Sequence, residues 1–131
     1  MLTIKMEENP RETLEKLGIA CGPNAVVMSM KDADTLMGAG VMKIGDGYAE
    51  ILNIRIKEEF TDFSLEYGIG KALLNAVDLK GIQNAVCNNM GMEKLLSALG
   101  FSKVSDCENV PFNLKENKYY LNLTGYFDAN C

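Results

Sequence analysis

The chain has 131 residues, 47 % apolar and 24 % charged, enough length and apolar content for one globular domain spanning residues 1–131. Its formal net charge of −5 argues against nucleic acid as a partner, because neutralising phosphates takes clustered Lys and Arg. No apolar run reaches the roughly 18 residues that suggest a membrane span, and a chain without His excludes every mechanism that uses an imidazole base.

Leu2 to Met6 alternates weakly and predicts a short first strand. Asn9-Pro10-Arg11-Glu12 carries the signals of a helix start: a capping residue, Pro at the first helical position, and Glu three after the cap. Leu14 and Leu17 give that helix an apolar side, and Gly18 stops it. Cys21, Cys87, Cys107 and Cys131 are too widely spaced for a C-x-x-C pair, so reduced thiols and no metal site are expected. With no basic-then-apolar leader, a cytoplasmic location is expected.

Ala25 to Met30 reads as a strand, Lys31 to Asp34 as a polar turn, and Thr35 to Ile44 as a strand interrupted by Gly38 and Gly40. Gly45-Asp46-Gly47 predicts a hairpin, because Asp-Gly supplies the positive φ angles of a tight turn. Tyr48 to Ile56 follows as a strand, which makes 25–56 an antiparallel meander.

Next comes Leu65-Glu66-Tyr67-Gly68-Ile69-Gly70-Lys71-Ala72-Leu73-Leu74, in which two glycines, one residue apart, are expected to open an amphipathic helix. Ile69, Leu73, Ala76 and Val77 fall on one face of it. A helix start has N–H groups without partners and partial positive charge, and glycine lets an anion come close to that backbone. The alternative is a tight turn that packs the helix on the sheet. The spacing excludes a P-loop, since no G-x-x-x-x-G-K-[ST] occurs. A dinucleotide fingerprint is also excluded, because Leu73 stands where its third glycine belongs.

Ile82 to Cys87 predicts a short buried strand, and Met92, Leu95, Leu96 and Leu99 predict a helix stopped by Gly100. Phe101 to Ser105 and Lys118 to Phe127 read as closing strands around a polar loop. The order is a meander followed by β-α-β-α-β-β, an α/β sheet with mixed strand directions.

That order resembles the GNAT (Gcn5-related N-acetyltransferase) superfamily, and several strings agree with it. Ala49-Glu50-Ile51-Leu52-Asn53-Ile54-Arg55-Ile56 resembles its fourth strand, Tyr67 to Leu74 its Gly-x-Gly/Ala pyrophosphate loop and helix, and Leu36-Met37-Gly38 its third strand. Asn89 precedes Phe101 by the interval at which many members carry a cofactor-contacting Asn. Leu99-Gly100-Phe101 matches their Leu-Gly-Phe ending, and Tyr120-Leu121-Asn122-Leu123 a closing strand.

The resemblance implies a mostly antiparallel mixed sheet flanked by helices and an acyl-CoA-dependent N-acyltransferase. Acetyl-CoA would be the donor co-substrate and an unidentified amine the acceptor. It places the pantetheine arm on the backbone of the fourth strand, at Ile54 and Ile56, and the pyrophosphate on Tyr67, Gly68, Ile69, Gly70 and Lys71. Asn89 would contact the cofactor, although Asn88-Asn89 ahead of a helix is equally ordinary capping chemistry. It also implies Glu50 as the base. In strict alternation Glu50 would share a face with Leu52, Ile54 and Ile56, and desolvation there would raise its pKa. Otherwise Glu50 merely begins the strand and points to solvent.

Departures from the family pattern leave a second reading open, a non-catalytic module that binds CoA or a protein partner. Leu65 stands at the family's usual Arg or Gln, and Leu96 at its usual proton-donating Tyr. Between Glu58 and Gly70 there is no Lys or Arg, while Glu58, Glu59, Asp62 and Glu66 are acidic. Tyr67, Tyr119, Tyr120 and Tyr126 are the available substitute acids. A homodimer stays open, and no nucleic acid or membrane partner is expected.

Overall fold

A computed structural model describes residues 2–8, 10–19, 25–60 and 62–127. Seven strands, β1 (Leu2–Met6), β2 (Ala25–Asp32), β3 (Thr35–Ile44), β4 (Ala49–Ile56), β5 (Asn84–Cys87), β6 (Ser102–Lys103) and β7 (Tyr119–Asn122), form one sheet in the order β1-β2-β3-β4-β5-β7-β6. Every neighbouring pair is antiparallel except β4 and β5. This is the mixed, mostly antiparallel α/β sheet that the sequence predicts. Three helices cover it: α1 (Pro10–Leu17), α2 (Phe63–Leu79) and α3 (Glu93–Leu99). Asn9, the expected cap of α1, lies outside the described residues, as do Cys21 and Cys131. Among the described residues no helix is long and apolar enough to cross a membrane.

The two faces of the sheet carry separate cores. Met30, Met42, Ala49, Ile51 and Ile54 pack under α2 and α3 with Ile69, Leu73, Val77, Leu95 and Leu99. Val27, Leu36, Ala39 and Val41 pack on the other face with Leu14 and Leu17 of α1. Glycine allows the close approach of α2. A Cβ on Gly40 would lie 2.7 Å from Ile69 Cγ2 and from Leu73 Cδ1, and one on Gly70 would lie 2.7 Å from Leu99 Cδ1. Gly100, at φ 105°, ends α3 in the left-handed conformation expected of a helix-stopping glycine.

Four expectations are corrected. First, α2 begins at Phe63, so the glycine pair does not open it. Asp62 is its cap, taking the Ser64 N–H at 2.9 Å and the Ser64 hydroxyl at 2.8 Å. Second, β4 does not alternate strictly. Its register against β3 slips between Val41 and Met42, which face Asn53 and Ile51, and Leu52 is the extra residue. Ile54 and Ile56 therefore pack on the α2 face, whereas Leu52 packs with the α1 cluster. Third, the closing strands are short. A 3₁₀ turn at Val104–Asp106 ends β6, and after β7 the Asn122 side chain accepts the Thr124 N–H at 2.8 Å and starts a turn. Fourth, β5 starts at Asn84, two residues later than expected.

Candidate functional site

The sheet opens between β4 and β5. Their parallel pairing covers only Ala49 with Ala85, Glu50 with Val86 and Ile51 with Cys87. Beyond that point β5 has ended, while β4 runs on to Ile56 with β3 alone beside it. Lys57 donates to Met37 O at 2.8 Å, and an antiparallel ladder alternates, so Arg55 and Asn53 also direct their backbone groups at β3. The N–H and C=O of Ile54 and Ile56 consequently point away from β3, into the fork. The bulge at Leu52 sits at its apex.

Asn89 closes that apex. Its Nδ2 donates to Leu52 O at 3.1 Å, and its Oδ1 accepts the Gly91 N–H at 3.1 Å, capping the 3₁₀ turn that leads into α3. Capping is thus established for Asn89, and the same side chain touches β4.

Glu50 is half-buried, one residue before the apolar end of the β4–β5 ladder. It alternates with Ala49 and Ile51, so it lies on the face opposite α2, shared with Leu52 but not with Ile54 or Ile56. Of the apolar residues expected on its face, Leu52 remains and Ile54 and Ile56 do not, while its β5 partner is the buried Val86. Asn88 Nδ2 donates to Glu50 Oε2 at 3.3 Å and to Asn117 Oδ1 at 2.8 Å, while Asn88 Oδ1 accepts the Lys118 N–H at 2.8 Å.

Cys87 ends β5 beside the fork. Burial pushes its thiol pKa up, the Glu50 charge adds to that, and the backbone N–H groups of Asn89 and Asn88 only partly oppose it. A protonated thiol at neutral pH is a poor nucleophile. The thiol is inert packing.

The glycine segment has a geometry that the sequence did not predict. Gly68 and Gly70 sit in the second and third turns of α2, where backbone N–H groups are used within the helix. Ile69 and Gly70 are buried against the sheet and α3. Gly68 differs, because a Cβ there would meet only Met30 Cε, at 3.6 Å. Packing explains Gly70 and does not explain Gly68. The N–H groups of the actual helix start belong to residues 63–66, and Asp62 takes three of them: its side chain that of Ser64, its carbonyl those of Leu65 and Glu66. The Ser64 N–H and hydroxyl hold the Asp62 carboxyl below its ordinary pKa.

Lys71 is half-buried in an aromatic cage. Its Nζ lies 4.3 Å from the ring centroid of Tyr126, 5.5 Å from Phe127 and 5.7 Å from Tyr67. It also sits 3.2 Å from the Tyr126 hydroxyl, which donates to Leu99 O at 2.6 Å. Burial works against the ammonium, but the hydrogen bond to Tyr126 and the acidic phenols of Tyr126 and Tyr67 outweigh it and raise the pKa. Lys71 stays charged at neutral pH.

The tyrosines separate by partner. Tyr67 and Tyr126 serve Lys71, and Tyr120 donates to Asn84 Oδ1 at 2.6 Å. Tyr119, opposite Cys87 in the ladder, has no hydroxyl partner among the described residues. No buried side-chain polar atom there lacks a partner, so the Tyr119 oxygen reaches solvent. Leu96, at the place of the expected proton donor, is fully buried in α3.

No protein-family model matches the chain, and no curated protein matches it in sequence. Solved structures match it in fold. The PaiA N-acetyltransferase of Thermoplasma acidophilum, in complex with coenzyme A, superposes with a TM-score of 0.68 at 15 % identity, over 93 % of this chain and 99 % of its own. A Bacillus subtilis acetyltransferase in complex with CoA gives 0.70 at 16 % identity, over 94 % and 99 %. An acetyltransferase of the GNAT family from Staphylococcus aureus gives 0.64 at 9 % identity, over 94 % and 99 %. The chain has the GNAT fold.

Proposed function

On that fold, we propose that the chain is an acyl-CoA-dependent N-acyltransferase, with acetyl-CoA as donor and a primary amine as acceptor. The observation that carries this reading is the fork: an unpaired β4 edge beyond Ile51, bridged at its apex by Asn89 and flanked by a half-buried carboxylate. The pantetheine arm would pair with the backbone of Ile54 and Ile56 as an added strand does. An edge N–H facing the thioester carbonyl would stabilise the oxyanion as the amine nitrogen attacks. The C–N bond forms, the C–S bond breaks, and Glu50 takes the proton lost by the amine, directly or through water. The departing thiolate takes its proton from water or from Tyr119.

For the diphosphate end, Tyr67 and Gly68 lie on the half-buried side of α2, and Lys71 supplies positive charge nearby. Ile69 and Gly70 contribute packing that holds this helix in place. A second reading has one observation behind it. Helix α2 extends back to an Asp62 cap, with Glu58, Glu59 and Glu66 close in sequence, which sets negative charge where a diphosphate would enter. That favours a module without transferase activity.

Titration with acetyl-CoA and with CoA, followed by calorimetry and thermal melting, tests both. Ligand at a hundredfold excess over Kd adds about 2.7 kcal/mol of stability, a melting shift on the order of 10 °C for this length. Binding with transfer to an amine panel supports the first reading, and binding without transfer the second. No binding at millimolar ligand overturns the first reading and leaves the second only as a module that binds a protein partner.

A further inference from the structure

At the end of the sheet where β4 and β5 part, an open cleft of about 610 Å³ runs between the residues after β5, the turn after β6 and the segment entering β7. Lys103, Lys115 and Lys118 line it, against one carboxylate, Glu116. None of the three lysines makes an ion pair among the described residues. In a chain of net charge −5, this cleft is a local concentration of positive charge.

The cleft is tied to the candidate base. Asn117 belongs to its wall and accepts from Asn88 Nδ2, the same nitrogen that reaches Glu50 Oε2. Asn88 also holds the Lys118 backbone N–H. One asparagine therefore fixes the position of the lysine-bearing segment relative to the Glu50 carboxylate. Tyr119, with its solvent-reaching hydroxyl, lines the same cleft.

We propose that this cleft binds the acceptor, and that the acceptor is a small amine carrying its own anion, a carboxylate or phosphate a few bonds from the amino group. The proposal rests on the acyl-transfer reading above. An ammonium group would settle toward Glu50 while its anion meets Lys103, Lys115 and Lys118. A polyamine would bring its remaining positive charges against the lysines, and like charges at a contact select against a partner. A neutral alkylamine would lack the anchor altogether.

The test maps backbone NMR shifts of the intact chain with β-alanine, phosphoethanolamine, propylamine and spermidine as probes. The expected result is perturbation of residues 103 and 115–119 by β-alanine or phosphoethanolamine, with affinity about tenfold above that of propylamine or spermidine. The tighter of the first two identifies the anion. The double variant Lys115→Glu, Lys118→Glu should erase that preference while its melting temperature and its affinity for acetyl-CoA hold. Equal or tighter binding of spermidine or propylamine overturns the proposal, as does a preference that survives the charge reversal. Loss of acetyl-CoA affinity in the double variant also overturns it, by assigning the cleft to the donor. Should acetyl-CoA fail to bind while β-alanine or phosphoethanolamine still fills the cleft, acyl transfer falls and an amine-plus-anion site stands. The opposite pair of results removes the acceptor class and leaves acyl transfer in place.

Discussion

Asn89 Nδ2 donates to the carbonyl of Leu52 at 3.1 Å, joining the second residue after β5 to the bulge in β4. The bulge turns that carbonyl out of the β3 ladder, and the asparagine meets it where the two parallel strands separate. Its other atom, Oδ1, caps the turn into α3. Asn89→Asp keeps the cap and loses the donor to Leu52, whereas Asn89→Ala loses both. Denaturant unfolding should show Asn89→Ala less stable by about 1–2 kcal/mol. Acetyl-CoA affinity should fall in both variants, because both release the apex. Equal affinity in Asn89→Asp and the unaltered chain would show that the bridge does not shape the fork.

Glu50 stands just behind the apex of the same fork, hydrogen-bonded to Asn88. Glu50→Gln keeps size and polarity and removes the ability to take a proton. In an active preparation kcat should drop by about 10²–10⁴-fold, with the calorimetric Kd for acetyl-CoA unchanged. A variant with full turnover would exclude Glu50 as base and leave water in that role.

The two glycines of α2 should respond in opposite directions. Gly70→Ala places a methyl 2.7 Å from Leu99 Cδ1 and forces the buried Leu99 side chain to shift in a packed core, at a cost of roughly 1–3 kcal/mol. Gly68→Ala meets only Met30 Cε at 3.6 Å and replaces a flexible helical glycine, so it should stabilise by about 0.5–1 kcal/mol. Thermal melting reads both. A stable Gly68→Ala that also loses acetyl-CoA binding would show that Gly68 serves the ligand and not the fold.

Much of the sheet was legible because hydrophobic periodicity and Asp-Gly chemistry act locally. The meander from Ala25 to Ile56 and the helix stop at Gly100 need no distant partner to be read. The start of α2 was also written locally, in Asp62 and in Leu65, which continues the Ile69–Leu73 spacing back by one turn. Two glycines read as punctuation outweighed that signal, since glycine in a helix interior is disfavoured on its own. What sanctions Gly70 is Leu99, on another helix. The bulge at Leu52 was not legible, because a register slip is a property of two strands and Val41 lies on the other one. The cage around Lys71 and the lysine cleft were equally out of reach, since both are assembled from segments far apart in sequence.

Glu7 is one source of pH dependence in stability. Its carboxylate accepts from Ser29 Oγ at 2.5 Å and lies 3.4 Å from Lys31 Nζ, linking the segment after β1 to β2. The Ser29 hydrogen bond holds the Glu7 pKa below its ordinary value, burial opposes it, and the Lys31 charge assists. The folded state therefore binds this proton less readily than the unfolded chain does. The stabilisation is fully present above the unfolded pKa and disappears as pH falls through the lower, folded value. Glu7→Gln should cost on the order of 1 kcal/mol at neutral pH. Denaturant titrations should show that gap close as the pH is taken down into the acid range below 4.5. A gap of constant size at every pH would mean that packing, not charge, is what Glu7 contributes.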